Sequence, residues 1–383
     1  MNGVARVEAL RGRRDEMVAA LRALVEAESP SADRDALAAC ARELGALGRT
    51  VLGTGPERLV AGGRTHLRWR FGSATRVLLL CHYDTVWPLG TLATWPFSVS
   101  DGVATGPGSF DMKAGLVQGL FALASLDDRD GVTLLATSDE EIGSVTSREL
   151  IEAEASSALA ALVLEPSAGP DGALKVARKG VATYEVEVRG KAAHAGLEPE
   201  KGTNALVELA HQVLGLERLA RPELGTTVTP TVASAGTTQN TVPAGSRFRV
   251  DVRAVSPEEQ ERVDRDLKRL EPVVPGARLA VRGRPNRPPL HESASAELFA
   301  QASKLAAELG LAELDSAAAG GGSDGNFTAG IGVPTLDGLG AVGGNPHALD
   351  EHVVLAAMPE RAALVAALAD ALRAESSASD LVW

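Results

Sequence analysis

Cysteine is nearly absent: the 383 residues hold only Cys40 and Cys81. A disulfide framework is therefore excluded, and a reducing cytoplasm suits such a chain best. No stretch approaches the roughly 18 apolar residues of a membrane span. The amino terminus, MNGVARVEALRGRRDEMVAALRALVEAES, has basic residues but neither an uninterrupted apolar core nor a cleavage site. It reads as an amphipathic helix, not a signal peptide. Positive charge is not in excess either. The formal net charge of −12 argues against nucleic acid or an anionic membrane as the main partner. An acidic substrate stays open, because a local patch or a metal can override the global sign. There is no internal repeat, and AAAGGGSDG (317–325) is too short to link domains.

What is present is globular: 45% of residues are hydrophobic, in a chain longer than one core usually supports, so two domains are expected. Helical periodicity runs over 4–28 and 33–48, broken by SPSADRD. RVLLLCHYD, VTLLATSDEE and ALVLEPS then alternate with helices, MKAGLVQGLFALASL and a short one near 146–156 among them. Continuously apolar strands of this kind belong to an α/β sheet covered on both faces. From about residue 180 the pattern changes. ATYEVEVRG and RFRVDVRAV alternate with period two, as in an antiparallel sheet with one wet face. With the helices TNALVELAHQVLGLERLA and SPEEQERVDRDLKRLE and the strand RLAVRGR, they look like a small α+β domain of the β-α-β-β-α-β kind, of whose four strands these are three. The expected organisation is an α/β domain (1–179 and 288–383) interrupted by an inserted α+β, ferredoxin-like domain (180–287).

Ligands of open α/β sheets bind beyond the carboxyl ends of the strands. There this chain places His82 and Asp84, then Glu140 and Glu141 in TSDEEIGS, and Glu165 in LEPS. Asp111 precedes a helix in ATGPGSFDMKAG, and GGNPHALDEH offers His347. Taken singly, each has a plainer reading. H-x-D is more often a surface pair, Glu140–Glu141 a solvated acidic pair, and Asp111 a helix cap. Together, carboxylates and imidazoles at one sheet end need positive charge among them. Two divalent cations would supply it, and two histidines with three carboxylates suit zinc. Asp84, two residues beyond His82, shares its side of the strand and can accept the second ring N–H. Cys81 points the opposite way and reads as a core thiol.

The ordered set CHYDTV, GPGSFDMKAG, TSDEEIGS, LEPS, GKAAHAG and GGNPHALDEH resembles the zinc aminoacylase and carboxypeptidase family of metallopeptidases. Its members include acetylornithine deacetylase, succinyl-diaminopimelate desuccinylase and bacterial glutamate carboxypeptidase. The resemblance implies that Asp111 bridges two zinc ions, with cobalt or manganese as substitutes. It assigns His82 and Glu165 to one ion and Glu141 and His347 to the other. Glu140 becomes the general base, Asp84, as the partner that orients His82, is counted with it as catalytic, and the peptide after Asp111 is expected to be cis. It further implies that the inserted domain mediates homodimerisation, that His194 reaches the partner's active site and stabilises the oxyanion there, and that Asn240 and Arg253 contact substrate. From pattern alone, His194 and Asn240 serve equally well as turn residues and Arg253 as an exposed strand charge. GGGSDGNF either presents backbone N–H groups to a carboxylate or is a turn with Ser323 or Asp324 as helix cap.

The expected function is hydrolysis of an amide in an N-acyl amino acid or short peptide, closest to glutamate carboxypeptidase-like members. An N-acyl amino acid deacylase of the acetylornithine or succinyl-diaminopimelate type is the alternative. A metal-free binding relative is a third reading, disfavoured because no member of the set is missing.

Overall fold

The computed structural model describes residues 3–379. The chain divides into two compact units. One comprises the chain up to Ala177, Leu290–Ala319 and the residues from Ser323 onward; the other comprises Arg178–Pro289 with Gly320–Gly322.

The first unit opens with α1 (Gly3–Arg11) and α2 (Arg14–Glu26), where one continuous helix over 4–28 was expected. The break falls at Gly12, and glycine costs about 1 kcal/mol against alanine in a helix interior. Gly12 and Arg13 close the last turn of α1 on the carbonyls of Glu8 and Leu10. Arg13 then reaches the Phe121 ring, 4.5 Å from its centroid. The next helix, α3 (Arg34–Leu52), starts on the Asp33 carboxylate, which accepts from the N–H groups of Asp35 and Ala36. It ends at Gly53, whose φ of 77° is open to glycine at no steric cost.

β1 (Glu57–Ala61) and β2 (Arg64–Arg70) form an antiparallel hairpin. β3 (Val77–His82), β4 (Val132–Thr137) and β5 (Ala160–Val163) follow, with α4 (Ala114–Ala124) before β4 and α5 (Arg148–Ala155) before β5. The sheet order is β1-β2-β4-β3-β5, completed by the strand Thr335–Leu336. β1–β2 and β2–β4 are antiparallel and the other neighbours are parallel, so the sheet is mixed and the fold α/β. Every residue of β3, β4 and β5 is buried. Gly115 of α4 lets the helix approach the sheet, since a Cβ there would lie 2.1 Å from the Leu164 carbonyl. Register pairs His82 with Thr137 and Leu80 with Val163, so the segments after these strands leave the sheet at the same end.

The second unit contains β6 (Gly180–Arg189), β7 (Ala193–His194), α6 (Ala205–Gly215), β8 (Thr227–Ala235), β9 (Thr241–Val242), β10 (Gly245–Ala254), α7 (Pro257–Lys268) and β11 (Arg278–Arg287). The long strands form an antiparallel sheet in the order β8-β10-β6-β11, and β7 pairs separately with β9. Tyr184, Val186, Phe248 and Val250 face Leu209, Val263 and Leu267 in one core. Arg247 and Arg249 alternate with them on the wet face. α7 begins as its sequence predicts, Ser256 Oγ accepting from Glu259 N–H at 3.3 Å and Pro257 holding the first helical position.

The chain returns to the first unit with α8 (Ala296–Glu308), α9 (Gly325–Gly330) and α10 (Ala357–Ser379), the last packing on α4. Among the described residues no helix is long and apolar enough to cross a membrane.

Candidate metal centre

At the carboxyl end of β3, β4 and β5 the structure brings five of the singled-out side chains into two overlapping groups. His82, Asp111 and Glu165 form one; Asp111, Glu141 and His347 form the other. Within each group the potential ligand atoms lie within 4.8 Å of one another. Asp111 joins the two, its Oδ1 3.2 Å from His82 Nε2 and its Oδ2 3.5 Å from His347 Nε2. Glu165 Oε1 stands 3.4 Å from His82 Nε2, and Glu141 Oε1 stands 3.3 Å from His347 Nε2.

The tautomer of His82 follows from its surroundings. Nδ1 lies 3.0 Å from the Asp84 carbonyl oxygen, which can only accept, so Nδ1 carries a proton. Nε2 then aims at two carboxylates. A bare lone pair there would be repelled, so the site requires either a second proton or a cation. A proton satisfies it only by forming a doubly charged-partner imidazolium: burial opposes that charge, yet Asp111, Asp84 and Glu165 outweigh burial and hold the His82 pKa well above its ordinary value. Asp111 and Glu141 likewise push His347 up to about 10. Burial would raise Asp111, but His347 and His82 override it and hold its carboxyl far below the usual range. Glu141 Oε1 is buried and, among the described residues, no donor but His347 Nε2 at 3.3 Å approaches it, while burial raises its carboxyl. Imidazole nitrogens and carboxylate oxygens held this close together fit divalent cations.

Asp84 acts more widely than expected. Its carboxylate is 3.4 Å from His82 Nδ1, farther than its own carbonyl, so the carbonyl and not the carboxylate is the nearer orienting group. The carboxylate instead accepts from Glu140 N–H at 3.1 Å, Glu141 N–H at 3.2 Å and Ser31 Oγ at 2.7 Å. It thereby fixes the turn that presents Glu140, a buried side chain. The Asp111–Met112 peptide is cis.

A model of the peptidase family M20/M25/M40 matches residues 78–371, well over half of the chain. The chain belongs to the M20/M25/M40 peptidase family. It is 32% identical to carboxypeptidase G2 of Pseudomonas sp. (strain RS-16) over 372 residues, covering 92% of this chain and 88% of that one. It is 29% identical to a succinyl-diaminopimelate desuccinylase of Methylorubrum populi over 318 residues, covering 75% and 80%. The fold matches the M20 metallo-carboxypeptidase Sso-CP2 of Sulfolobus solfataricus with a TM-score of 0.73, at 17% identity over 93% of this chain and 99% of that one. The chain is thus an M20 metallopeptidase, a carboxypeptidase-like hydrolase.

Three further singled-out residues of this M20 chain, His194, Asn240 and Arg253, lie in the second unit. His194 is exposed, and its Nδ1 accepts from the N–H groups of Gly196 and Leu197, both at 3.1 Å. The proton therefore sits on Nε2. Asn240 joins it through the β7–β9 ladder, its carbonyl accepting from Ala195 N–H at 2.9 Å. Arg253 is not brought to them. It stands eight residues along β10 from Gly245, roughly 26 Å at strand rise, and grips Asp251 through two hydrogen bonds of 2.8 and 2.9 Å. In the first unit, Asp324 occupies the N-cap position of α9 but its side chain does not cap the helix: the carboxylate accepts from Thr137 Oγ1 at 3.0 Å and from Ser144 Oγ. Ser323 Oγ accepts from Gly325 N–H at 3.1 Å. Cys81 is buried, and burial pushes its thiol far up, as befits a core thiol.

Glu351 was missed by sequence reasoning. It is fully buried and accepts from Phe110, Asp111 and Gly108 N–H and from Trp87 Nε1. Its only sequence signal is a carboxylate four residues after His347.

Proposed function

We propose that this chain is a dinuclear zinc-dependent hydrolase that releases a C-terminal amino acid such as glutamate from an N-acyl or peptidyl substrate. The observation that carries this reading is the sharing of Asp111 between two ligand triads. His82, Asp111 and Glu165 would hold one ion, and Asp111, Glu141 and His347 the other; cobalt or manganese could replace zinc in such a donor set. When bound, divalent cations supply the charge that polarises an amide carbonyl and acidifies water.

The chain's own residues supply the rest. Glu140, held by Asp84 through its backbone, takes a proton from the attacking water and returns it to the leaving nitrogen. His194 Nε2–H, the tautomer imposed by Gly196 and Leu197, donates to the developing oxyanion in the active site of a partner copy. Asn240 positions substrate, and Arg253, once released from Asp251, suits a carboxylate through its planar fork. The carboxypeptidase name of the Pseudomonas relative supports the carboxypeptidase reading. The desuccinylase name of the Methylorubrum relative keeps an N-acyl amino acid deacylase as second reading.

The same proposal makes the second unit a homodimerisation domain. β8 is an edge strand exposed on both faces beyond Val228, with Val232 60% exposed, and Leu214 of α6 is 68% exposed. An open edge with apolar side chains is a template for a second copy of the chain. Val232→Lys should convert a dimer to a monomer in sedimentation; a parent protein that is already monomeric at micromolar concentration ends this part.

The deciding experiment is metal analysis followed by a panel of N-acyl amino acids, folyl-glutamates and dipeptides assayed with added zinc or cobalt. Two ions per chain and preferential release of a C-terminal residue are expected. Preferential cleavage of acetylornithine or succinyl-diaminopimelate selects the second reading, and a metal-free inert protein overturns both.

A further inference from the structure

Glu351 lies between the segments that carry the cage. Its Oε1 accepts from Phe110 N–H at 2.8 Å and Asp111 N–H at 3.0 Å. Its Oε2 accepts from Trp87 Nε1 at 3.0 Å and Gly108 N–H at 3.2 Å. Four donors fill the acceptor sites of one carboxylate, so it has no oxygen left to bind a cation. Asp111 comes from the loop before α4, and Trp87 lies three residues past Asp84 in the loop leaving β3. Glu351 itself is tied to His347 by a tight turn, with Ala348 N–H on the Asn345 carbonyl and Glu351 N–H on the Ala348 carbonyl.

We infer that Glu351 is a positioning residue that clamps the His82, Asp111 and His347 segments around one carboxylate and so sets the affinity of both metal sites together. This rests on the dinuclear reading above. Three backbone N–H groups aimed at one buried carboxylate fix the backbone of Asp111, and with it the direction of the side chain that both triads share. The turn fixes His347 to the same point. Trp87, through its ring N–H, fixes the loop that follows His82 and Asp84. Any slackening at Glu351 is therefore felt on both sides of Asp111 at once, whereas slackening at Glu165 or Glu141 would be felt on one.

The substitution Glu351→Gln keeps the size and turns one acceptor oxygen into an NH2 facing two N–H donors. Groups that orient metal ligands typically govern about 10–100-fold in metal affinity or activity. The test is zinc affinity of the folded protein by chelator competition, with the absorption of the cobalt-substituted form as a second readout. In Glu351→Gln both zinc affinities should fall by about that factor, the cobalt bands should shift, and kcat should fall with KM little changed. Trp87→Phe removes a single donor and should move the same readouts in the same direction by less; it decides the matter if Glu351→Gln does not fold. A merely structural Glu351 would lower the melting temperature while leaving zinc affinities and cobalt bands unmoved, and that result overturns the inference alone. A parent chain that binds fewer than two zinc ions overturns the dinuclear reading and this inference with it.

Discussion

Buried carboxylates occur at both ends of the first unit's sheet, and they are satisfied in opposite ways. At the amino ends of β3 and β4, Glu154 accepts from Arg68 at 2.8 Å, from Arg70 at 2.7 and 2.8 Å, and from Thr75. Guanidinium charge is permanent, so that end is complete within the chain. At the carboxyl ends, Asp111 and Glu141 face imidazoles, whose charge is conditional. A carboxylate matched by arginine is a fastening. One matched by histidines that also need a partner for Nε2 leaves room for an exchangeable cation.

The sharpest way to break this contrast is Glu140→Gln. Glu140 borders the cage without belonging to either triad, so its loss should remove proton transfer and spare metal binding. General acid–base catalysis is worth roughly 10²–10⁴-fold, and kcat should fall within that range while two metal ions per chain are retained. Turnover within tenfold of the parent, or loss of the metals, would show that Glu140 has another role.

His194→Asn sharpens the contrast from the other unit. The side chain is exposed and, among the described residues, bonded only to its own turn, so its replacement should leave folding and metal content alone. Removing one oxyanion donor costs about 10²–10³ in kcat. If instead KM rises and kcat holds, His194 binds the ground state and the oxyanion assignment fails.

Legibility divides along similar lines. The α/β class, the buried parallel strands and the β-α-β-β-α-β unit could be read because apolar periodicity is a local signal. Four of the converging side chains, His82, Asp111, Glu141 and Glu165, could be picked out because each lies at the end of a strand, just past one or before a helix, where the fold class dictates a common edge. His347 follows the short strand Gly343–Gly344 of another sheet and stood out only as part of the ordered set. Glu351 could not: its donors Phe110 and Asp111 are 241 and 240 residues away. Asp324 looked like a cap, and its partners Thr137 and Ser144 are 187 and 180 residues distant. The break at Gly12 was missed for a different reason. Apolar spacing carries through a helix–helix corner when both helices face one core, as Val7, Leu10, Met17 and Leu21 do.

The smallest effect concerns the fastening at Glu154 and is read in stability rather than turnover. Burial pushes the Glu154 carboxyl up, but Arg70, Thr75 and Arg68 outweigh it and leave it below its ordinary value. A carboxyl depressed on folding contributes stability that is fully present above its unfolded pKa, near 4.5, and is lost as pH falls through the folded value. Glu154→Gln should therefore destabilise the protein at pH 7 by roughly 1.5–3 kcal/mol, the worth of hydrogen bonds to charged groups. Arg68 and Arg70 keep partial access to water, which limits the cost of leaving them unpaired. The parent and variant melting curves should converge as pH falls through the depressed folded value of Glu154, because protonation does to the parent what the substitution does to the variant. At neutral pH the variant's kcat should match the parent's, since Glu154 and the cage occupy opposite ends of the sheet. A variant that lost metal as well as stability would show that the two ends are coupled through β3 and β4, and the division between fastening and cage would have to be abandoned.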